Sequence, residues 1–71
     1  MINRVNKRTA RRAYNEGKDV LIFPRNLRPD FFGMIVNNRR NEKDFDKLIN
    51  AFEFYNCTSA ETGRYCAYII N

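Results

Sequence analysis

The sequence predicts one small α+β domain in which two helices pack on a three-stranded antiparallel sheet. Two stretches carry apolar residues at helical spacing, and three shorter stretches are apolar runs rich in β-branched and aromatic residues. Turn-forming residues separate these stretches, and the predicted order is α-β-β-α-β. A chain of 71 residues has room for one such domain, spanning residues 1–71, with a small core.

The first helix is predicted to begin after Asn6, a suitable N-cap, and to end at Gly17, which tolerates the left-handed backbone of a helix stop. Val5 can pack on Ala10 across the cap. One side of this helix has small and aromatic residues that allow close packing. The other side presents four cations, which are Lys7, Arg8, Arg11 and Arg12.

Three strands are predicted, at residues 19–24, 31–36 and 64–70. The first is apolar on both faces, which is typical of a central strand, and Pro24 ends it because proline has no N–H to donate. Gly33 in the second strand indicates a bulge or a close backbone approach. A right-handed crossover places the third strand beside the first, giving the order 2-1-3. The order 1-2-3, with strands two and three parallel, is the alternative.

The second helix is predicted from Phe45 to Tyr55 or Asn56, with Asn41 or Asp44 as its N-cap. Apolar residues recur in it at steps of three and four and form one stripe that faces the core, made of Phe45, Leu48, Ile49, Phe52 and Tyr55.

Phe54 lies off this stripe and also off the polar face of the second helix. It must therefore either bury against another element or stay exposed. If Phe54 is exposed beside Ala51, we expect the outer face of this helix to be the protein-binding surface and the basic first helix to serve only solubility.

The net charge of +5 is unevenly spread along the chain. Residues 1–40 contain ten Lys and Arg and three Asp and Glu, whereas residues 41–71 contain three and five. A basic surface favours nucleic acid, an anionic lipid or an acidic protein as partner. Solubility alone is the other explanation of such a charge.

The first helix carries the sharpest functional signal, because its four cations repel one another and oppose the helix dipole. We interpret them as contacts to a phosphate backbone. The alternative is a solvated face that pairs with Glu42, Asp44 or Glu61. The predicted nucleic-acid-binding residues are Lys7, Arg8, Arg11, Arg12, Arg39 and Arg40. The interpretation depends on whether the first helix, residues 39–40 and the loop with Arg25 and Arg28 share one surface.

The sequence lacks the residues that several kinds of catalytic, metal and phosphate-binding site require. Without histidine, Ser/His and Cys/His pairs cannot form, and a four-ligand zinc site cannot be completed from two cysteines. No glycine-rich phosphate loop is present. We therefore expect no enzyme, no metal and no cofactor. Cys57 and Cys66 are expected to be reduced and partly buried, and the lack of an apolar leader or span predicts a cytoplasmic protein without membrane contact.

The chain resembles a family of short proteins encoded on conjugative elements and phages of Gram-positive bacteria. The resemblance lies in KRTARRAYNEGKDV at residues 7–20, in LRPD at 27–30, and in FDKLINAFEFYNC at 45–57 running into ETGRYCAY at 61–68. It implies an accessory protein of a mobile element, where DNA-handling regulators and inhibitors of host defence are both common. It transfers no site residue.

The expected function is thus that of a small, basic, non-catalytic accessory protein that associates with nucleic acid through its first helix. The alternative is a protein-interaction module. Such a module would inhibit or modulate a host enzyme, for example a defence nuclease, or would self-associate as a homodimer along an exposed sheet edge. An acidic host protein is the partner expected if nucleic acid is not.

Overall fold

A computed structural model describes residues 4–29, 33–39 and 44–70. Two helices and four strands follow one another along these residues. They are β1 (Arg4–Val5), α1 (Lys7–Asn15), β2 (Val20–Pro24), β3 (Met34–Val36), α2 (Phe45–Asn56) and β4 (Cys66–Ile70). The strands form one antiparallel sheet in the order β1-β4-β2-β3. The prediction of an α+β fold with two helices and an antiparallel sheet is confirmed.

The number of strands was predicted incorrectly, because β1 adds a fourth strand. It pairs Arg4 with Ile69 and Val5 with Tyr68. Two residues are too few to show an alternating pattern, so β1 exists only because β4 offers it a free edge. A four-stranded sheet therefore replaces the expected three-stranded order 2-1-3. Within it β2 lies between β4 and β3, so the alternative in which the second and third predicted strands pair in parallel does not occur.

Some element ends also differ from the prediction. β3 begins only at Met34, and the first residues predicted for it, 31 and 32, lie outside the described part of the chain. β4 begins at Cys66, after a bend. The N-cap of α2 is Asp44, which makes no side-chain capping hydrogen bond, and Asn41 lies outside the described residues.

Both ends of α1 follow the predicted capping chemistry. Asn6 Oδ1 accepts a hydrogen bond from Thr9 N at 2.8 Å. At the other end Gly17 has a φ of +85°. Its N–H donates to the Tyr14 carbonyl at 3.0 Å, and Lys18 N donates to the Ala13 carbonyl at 2.9 Å. This pair of bonds is the Schellman arrangement that satisfies the last carbonyls of a helix.

Both helices pack on one face of the sheet. Tyr14 of α1 and Phe45 of α2 have ring centroids 5.2 Å apart, and Phe45 is 6.0 Å from Tyr68 of β4. These rings join the helices to the sheet in a single core. The other buried members of this core are Ala10, Ala13, Val20, Ile22, Val36, Ile49, Phe52, Cys57 and Cys66.

The opposite face of the sheet is apolar as well. Phe23, Ala67 and Ile69 are buried there, with Leu21 packed against them. The guanidinium of Arg4 lies over the Phe23 ring, 4.9 Å from its centroid. The two apolar faces of β2 agree with its central position in the sheet.

Gly33 lies immediately before β3, where the backbone returns close to Pro29. A β-carbon at Gly33 would collide with the Pro29 carbonyl oxygen and would lie 3.1 Å from Leu21 Cδ1. The prediction of a close backbone approach at this glycine is confirmed. The turn after β2 and the residue before β3 therefore lie against each other beside Leu21.

Cys57 and Cys66 are both buried, and both are free thiols. Burial raises the pKa of Cys57, with a further contribution from the charge of Glu53. Burial likewise raises the pKa of Cys66, to about 11. Because the thiolate is the nucleophilic form, burial and the raised pKa values disfavour reaction at either cysteine.

We expect Asn6→Ala to lower the free energy of unfolding by about 1 kcal/mol, because the first turn of α1 loses the acceptor for Thr9 N. Chemical denaturation followed by circular dichroism measures the loss. Asn6→Asp keeps an acceptor at the same position and serves as the control. Equal losses in the two variants would show that the capping hydrogen bond contributes nothing.

Candidate nucleic-acid interface

The outer face of α1 carries unshielded positive charge. Ala10, Ala13 and Tyr14 occupy the buried side of this helix, so the residues at the other positions of the wheel face solvent. Arg8 and Arg12 lie one turn apart there, and both are exposed. The first turn has no acidic residue. The α1 cations therefore repel one another, and those near its N-terminal end also face the positive end of the helix dipole.

Lys7 and Arg11 lie on the flank of α1 that faces α2, and both pair with Asp46. Arg11 Nη2 and Nε donate to Asp46 Oδ1 at 2.8 and 3.2 Å, and Lys7 Nζ is 3.9 Å from the same oxygen. The side chains are about half exposed, so each pair contributes only about 0.2–1 kcal/mol to stability. Among the described residues, Asp46 is thus the acidic partner of two of the four α1 cations, Lys7 and Arg11.

Asp46 is not one of the acidic residues that were expected to pair with the α1 cations if these formed only a solvated face. Those residues were Glu42, Asp44 and Glu61. Glu42 lies outside the described residues. Neither Asp44 nor Glu61 forms an ion pair with any residue that the structure describes. Asp46 lies in the first turn of α2, and the closeness of α1 and α2 brings it into contact with Arg11.

Asn37 anchors the turn after β3 beside the C-terminal end of α1. It is 6% exposed, its Nδ2 donates to Asp19 Oδ1, and its Oδ1 accepts from Arg39 N at 3.0 Å. Next to it, Asn38 Nδ2 donates to the Asn15 carbonyl at 2.9 Å. The sequence showed only a polar connection here, because nothing local reveals that one of these asparagines is buried.

This anchoring sets the position of Arg39. Arg39 Nε lies 3.5 Å from the place that a β-carbon would take at Gly17, directly after α1. The negative end of a helix dipole favours a cation at such a site. Arg39 therefore extends the charge of α1 beyond its C-terminal end. Arg40, predicted as its companion, lies outside the described residues.

Further cations gather at the N-terminal end of α1. Arg4, Lys7 and Arg25 line one cavity of about 490 Å³ there. Arg4 Nη1 donates to the Arg25 carbonyl at 3.0 Å. Arg4 escaped the sequence analysis because β1 was not predicted, and Arg25 was noted only as part of a basic loop.

Cations thus lie on α1 and beyond both of its ends, and we call this set of side chains the basic strip, with the Arg4 guanidinium lying over Phe23 on the sheet face opposite the helices. Its members are Arg4, Lys7, Arg8, Arg11, Arg12, Arg25 and Arg39. Five of the six predicted contact residues belong to it. All three basic groups of the sequence, the first helix, the segment around residue 39 and the loop at residue 25, contribute at least one cation.

A second surface has a different character and lies on the outer side of α2. Phe54 and Tyr55 are 72% and 77% exposed, and their rings meet edge to face at 5.1 Å. Ala51 beside them is exposed. Phe54 therefore meets the condition set for a protein-binding surface. Tyr55 was predicted incorrectly as part of the core stripe, because the buried face of α2 consists of Phe45, Ile49 and Phe52 and Tyr55 stays exposed in the last turn of the helix.

A shallow apolar groove of about 360 Å³ runs between this side of α2 and the start of β3. Its lining residues are Gly33, Met34, Leu48, Ala51, Phe52, Tyr55 and Asn56. We call the exposed side chains of Ala51, Phe54 and Tyr55, together with this groove, the apolar surface. Lys47 is the charged residue on the same side of α2 by helical spacing.

Within residues 4–29, 33–39 and 44–70, no three His, Cys, Asp or Glu side chains lie close enough together to hold a metal ion. No helix among the same residues is both long and apolar enough to cross a membrane. Comparison of the chain with protein-family models, with curated proteins and with solved structures finds no match. The two surfaces described above are therefore the basis for a functional assignment.

We expect Asn37→Ala to lower the free energy of unfolding by about 1–3 kcal/mol, because Asp19 Oδ1 and the Arg39 N–H lose the buried side chain that they bond to. Thermal and urea unfolding measure the effect. Asn38→Ala, at an exposed neighbouring position, is the matched control with a loss of about 0.5 kcal/mol. Similar losses in both variants would contradict the anchoring role of Asn37.

Proposed function

We propose that the protein is a small, non-catalytic accessory protein that associates with nucleic acid through the basic strip. The observation that carries this proposal is the course of the cations along α1, from Arg4 and Arg25 at one end to Arg39 at the other. Phosphate contacts require positive side chains spread over a surface, and they require no base, nucleophile or metal.

The charge of the basic strip is largely uncompensated. Asp46 pairs with two of its cations, Lys7 and Arg11. Arg8 and Arg12 form no ion pair with any of the residues described in the structure. These two arginines are therefore available to an external anion, and they are expected to make the strongest contribution to phosphate binding.

The size of the strip suits a nucleic-acid backbone. α1 has nine residues, which corresponds to a length of about 13 Å at 1.5 Å per residue. One strand of B-DNA presents a phosphate about every 3.4 Å along its axis, so the helix spans roughly four phosphates. Contacts of this kind fix position on the backbone and carry no sequence information, so we expect binding that depends strongly on salt and weakly on sequence.

Fluorescence anisotropy with labelled single-stranded and duplex oligonucleotides, across a series of salt concentrations, tests the proposal. For Arg8→Ala/Arg12→Ala we expect weaker binding and a salt slope smaller by about 1–2, because two phosphate contacts are lost. Arg8→Lys/Arg12→Lys retains the charges and should retain most of the slope. Lys47→Ala removes a cation from α2 and should leave the slope nearly unchanged.

Absence of binding to every oligonucleotide at low salt would overturn the proposal, provided that circular dichroism shows a folded protein. An acidic host protein would then be the partner that fits the basic strip. A slope that is the same in the wild type and in Arg8→Ala/Arg12→Ala would instead remove these two arginines from the contact.

A second candidate function is protein interaction through the apolar surface, and the exposure of Phe54 and Tyr55 favours it. We commit to a second copy of the chain as the occupant. The apolar surface adjoins β3, the edge strand of the sheet, and Lys47 is the charge that helical spacing places on this side of α2. Two copies of a protein with a net charge of +5 repel each other less across this side than across the basic strip.

Sedimentation equilibrium between micromolar and millimolar protein tests the second candidate. Phe54 and Tyr55 together expose on the order of 300 Å² of aromatic side chain, below the roughly 800 Å² per partner of a stable interface, so we expect a weak dimer. Phe54→Ser should shift the dissociation constant upward by about tenfold. Ile35→Ser, exposed on the other sheet face, is the control. A monomer at all concentrations would rule out this candidate.

A further inference from the structure

The cavity at the N-terminal end of α1 combines cations with an exposed aromatic ring. Tyr65 is 60% exposed and lies in the bend before β4. The Arg25 guanidinium lies over its ring, 5.7 Å from the centroid. The backbone of Tyr65 is held in place, because its carbonyl accepts a hydrogen bond from Arg25 N at 3.1 Å. The backbone that carries the ring is therefore fixed, and Tyr65 forms part of the wall of a cationic cavity.

The polar groups of the cavity wall favour an anion. Arg4 is fixed by its hydrogen bond to the Arg25 carbonyl and by its stacking on Phe23. Lys7 adds a third cation. The one carboxylate of the wall is Glu53, whose Oε2 accepts a hydrogen bond from Cys66 N at 3.1 Å.

Two asparagines of the wall, Asn6 and Asn50, add side-chain amides. The Asn6 oxygen already accepts the capping hydrogen bond of α1. The wall has three cations and one carboxylate, and Asp46 Oδ1 lies 3.9 Å from Lys7 Nζ, so a net positive charge remains. At about 490 Å³ its volume lies within the range of small-ligand sites and is large enough for a nucleotide unit.

We propose that this cavity makes the protein a binder of single-stranded nucleic acid, with Tyr65 stacking on one base and with Arg4, Lys7 and Arg25 contacting the adjoining phosphates. The inference rests on the proposed function and names the form of nucleic acid. Proteins that bind single strands combine a cationic groove with an aromatic platform, because an unpaired base offers a π-face to any ring. In a duplex these faces are stacked on neighbouring bases and out of reach.

The position of Tyr65 relative to the basic strip supports the same conclusion. Lys7 belongs both to α1 and to the cavity wall, so it connects the cations of α1 with the cavity. A strand whose phosphates follow Arg12 and Arg8 toward Lys7 arrives at the tyrosine ring. Tyr65 would thus select single-stranded nucleic acid, since only an unpaired nucleotide can turn its base out against the ring.

Fluorescence anisotropy with the full chain tests the inference, using labelled oligo-dT and oligo-rU of 15 nucleotides and a 15-base-pair duplex at one low salt concentration. We expect the single strands to bind at least several-fold more tightly than the duplex. Tyr65→Ala should weaken single-strand binding by about fivefold or more, because a stacked base is lost. Tyr65→Phe should bind like the wild type, because the phenyl ring stacks equally well.

Two controls separate stacking from other effects. Ile35→Ala truncates an exposed side chain that is not part of the cavity wall and should leave the affinity unchanged. Duplex binding by Tyr65→Ala should match that of the wild type. Thermal unfolding of each variant confirms that the fold is retained.

The outcomes distinguish this inference from the proposed function on which it rests. Equal affinity for single strand and duplex, with Tyr65→Ala without effect, overturns the inference and leaves nucleic-acid association in place. Equal losses in Tyr65→Ala and Tyr65→Phe overturn it too, because they implicate the hydroxyl group rather than the ring. No binding to any oligonucleotide overturns both.

Discussion

The burial of β2 on both of its faces is the constraint on which the rest of the structure depends. Val20, Ile22 and Phe23 are fully buried, yet both helices pack on the face that carries Val20 and Ile22. In the described chain, the face that carries Phe23 is covered by strand residues, by the Arg4 side chain and by the turn after β2. Two small elements, β1 and this turn, thus contribute to the cover of this face.

The same constraint brings the cations together. Because β1 lies along β4, Arg4 crosses over Phe23 and reaches the Arg25 carbonyl at the end of β2. The turn after β2 in turn places Arg25 against Tyr65. The N-terminal end of the basic strip is thus a by-product of covering the second sheet face, and the site and the fold share the same contacts.

This explains which features were predictable from sequence. β2, the caps of α1 and the close approach at Gly33 all have local signals, namely an apolar run, a capping residue and a glycine. β1, the buried amide of Asn37 and the pairing of Arg11 with Asp46 have none, because each depends on a partner distant along the chain. The α1 cations of the candidate site were visible in the sequence, whereas Arg4 and Tyr65 became candidates only through the tertiary structure.

The pairing of Arg11 with Asp46 has a consequence for reversibility. Asp46 occupies the Nε and Nη2 edge of the guanidinium, which is the edge that a phosphate would use. The chain therefore carries its own anion in the middle of the basic strip, and a phosphate that bound the same edge of Arg11 would have to displace Asp46. The exchange of one anion for another releases little free energy, so a strand held here would be held loosely and would leave quickly. Such behaviour suits a protein that must move along a strand or give way to another one.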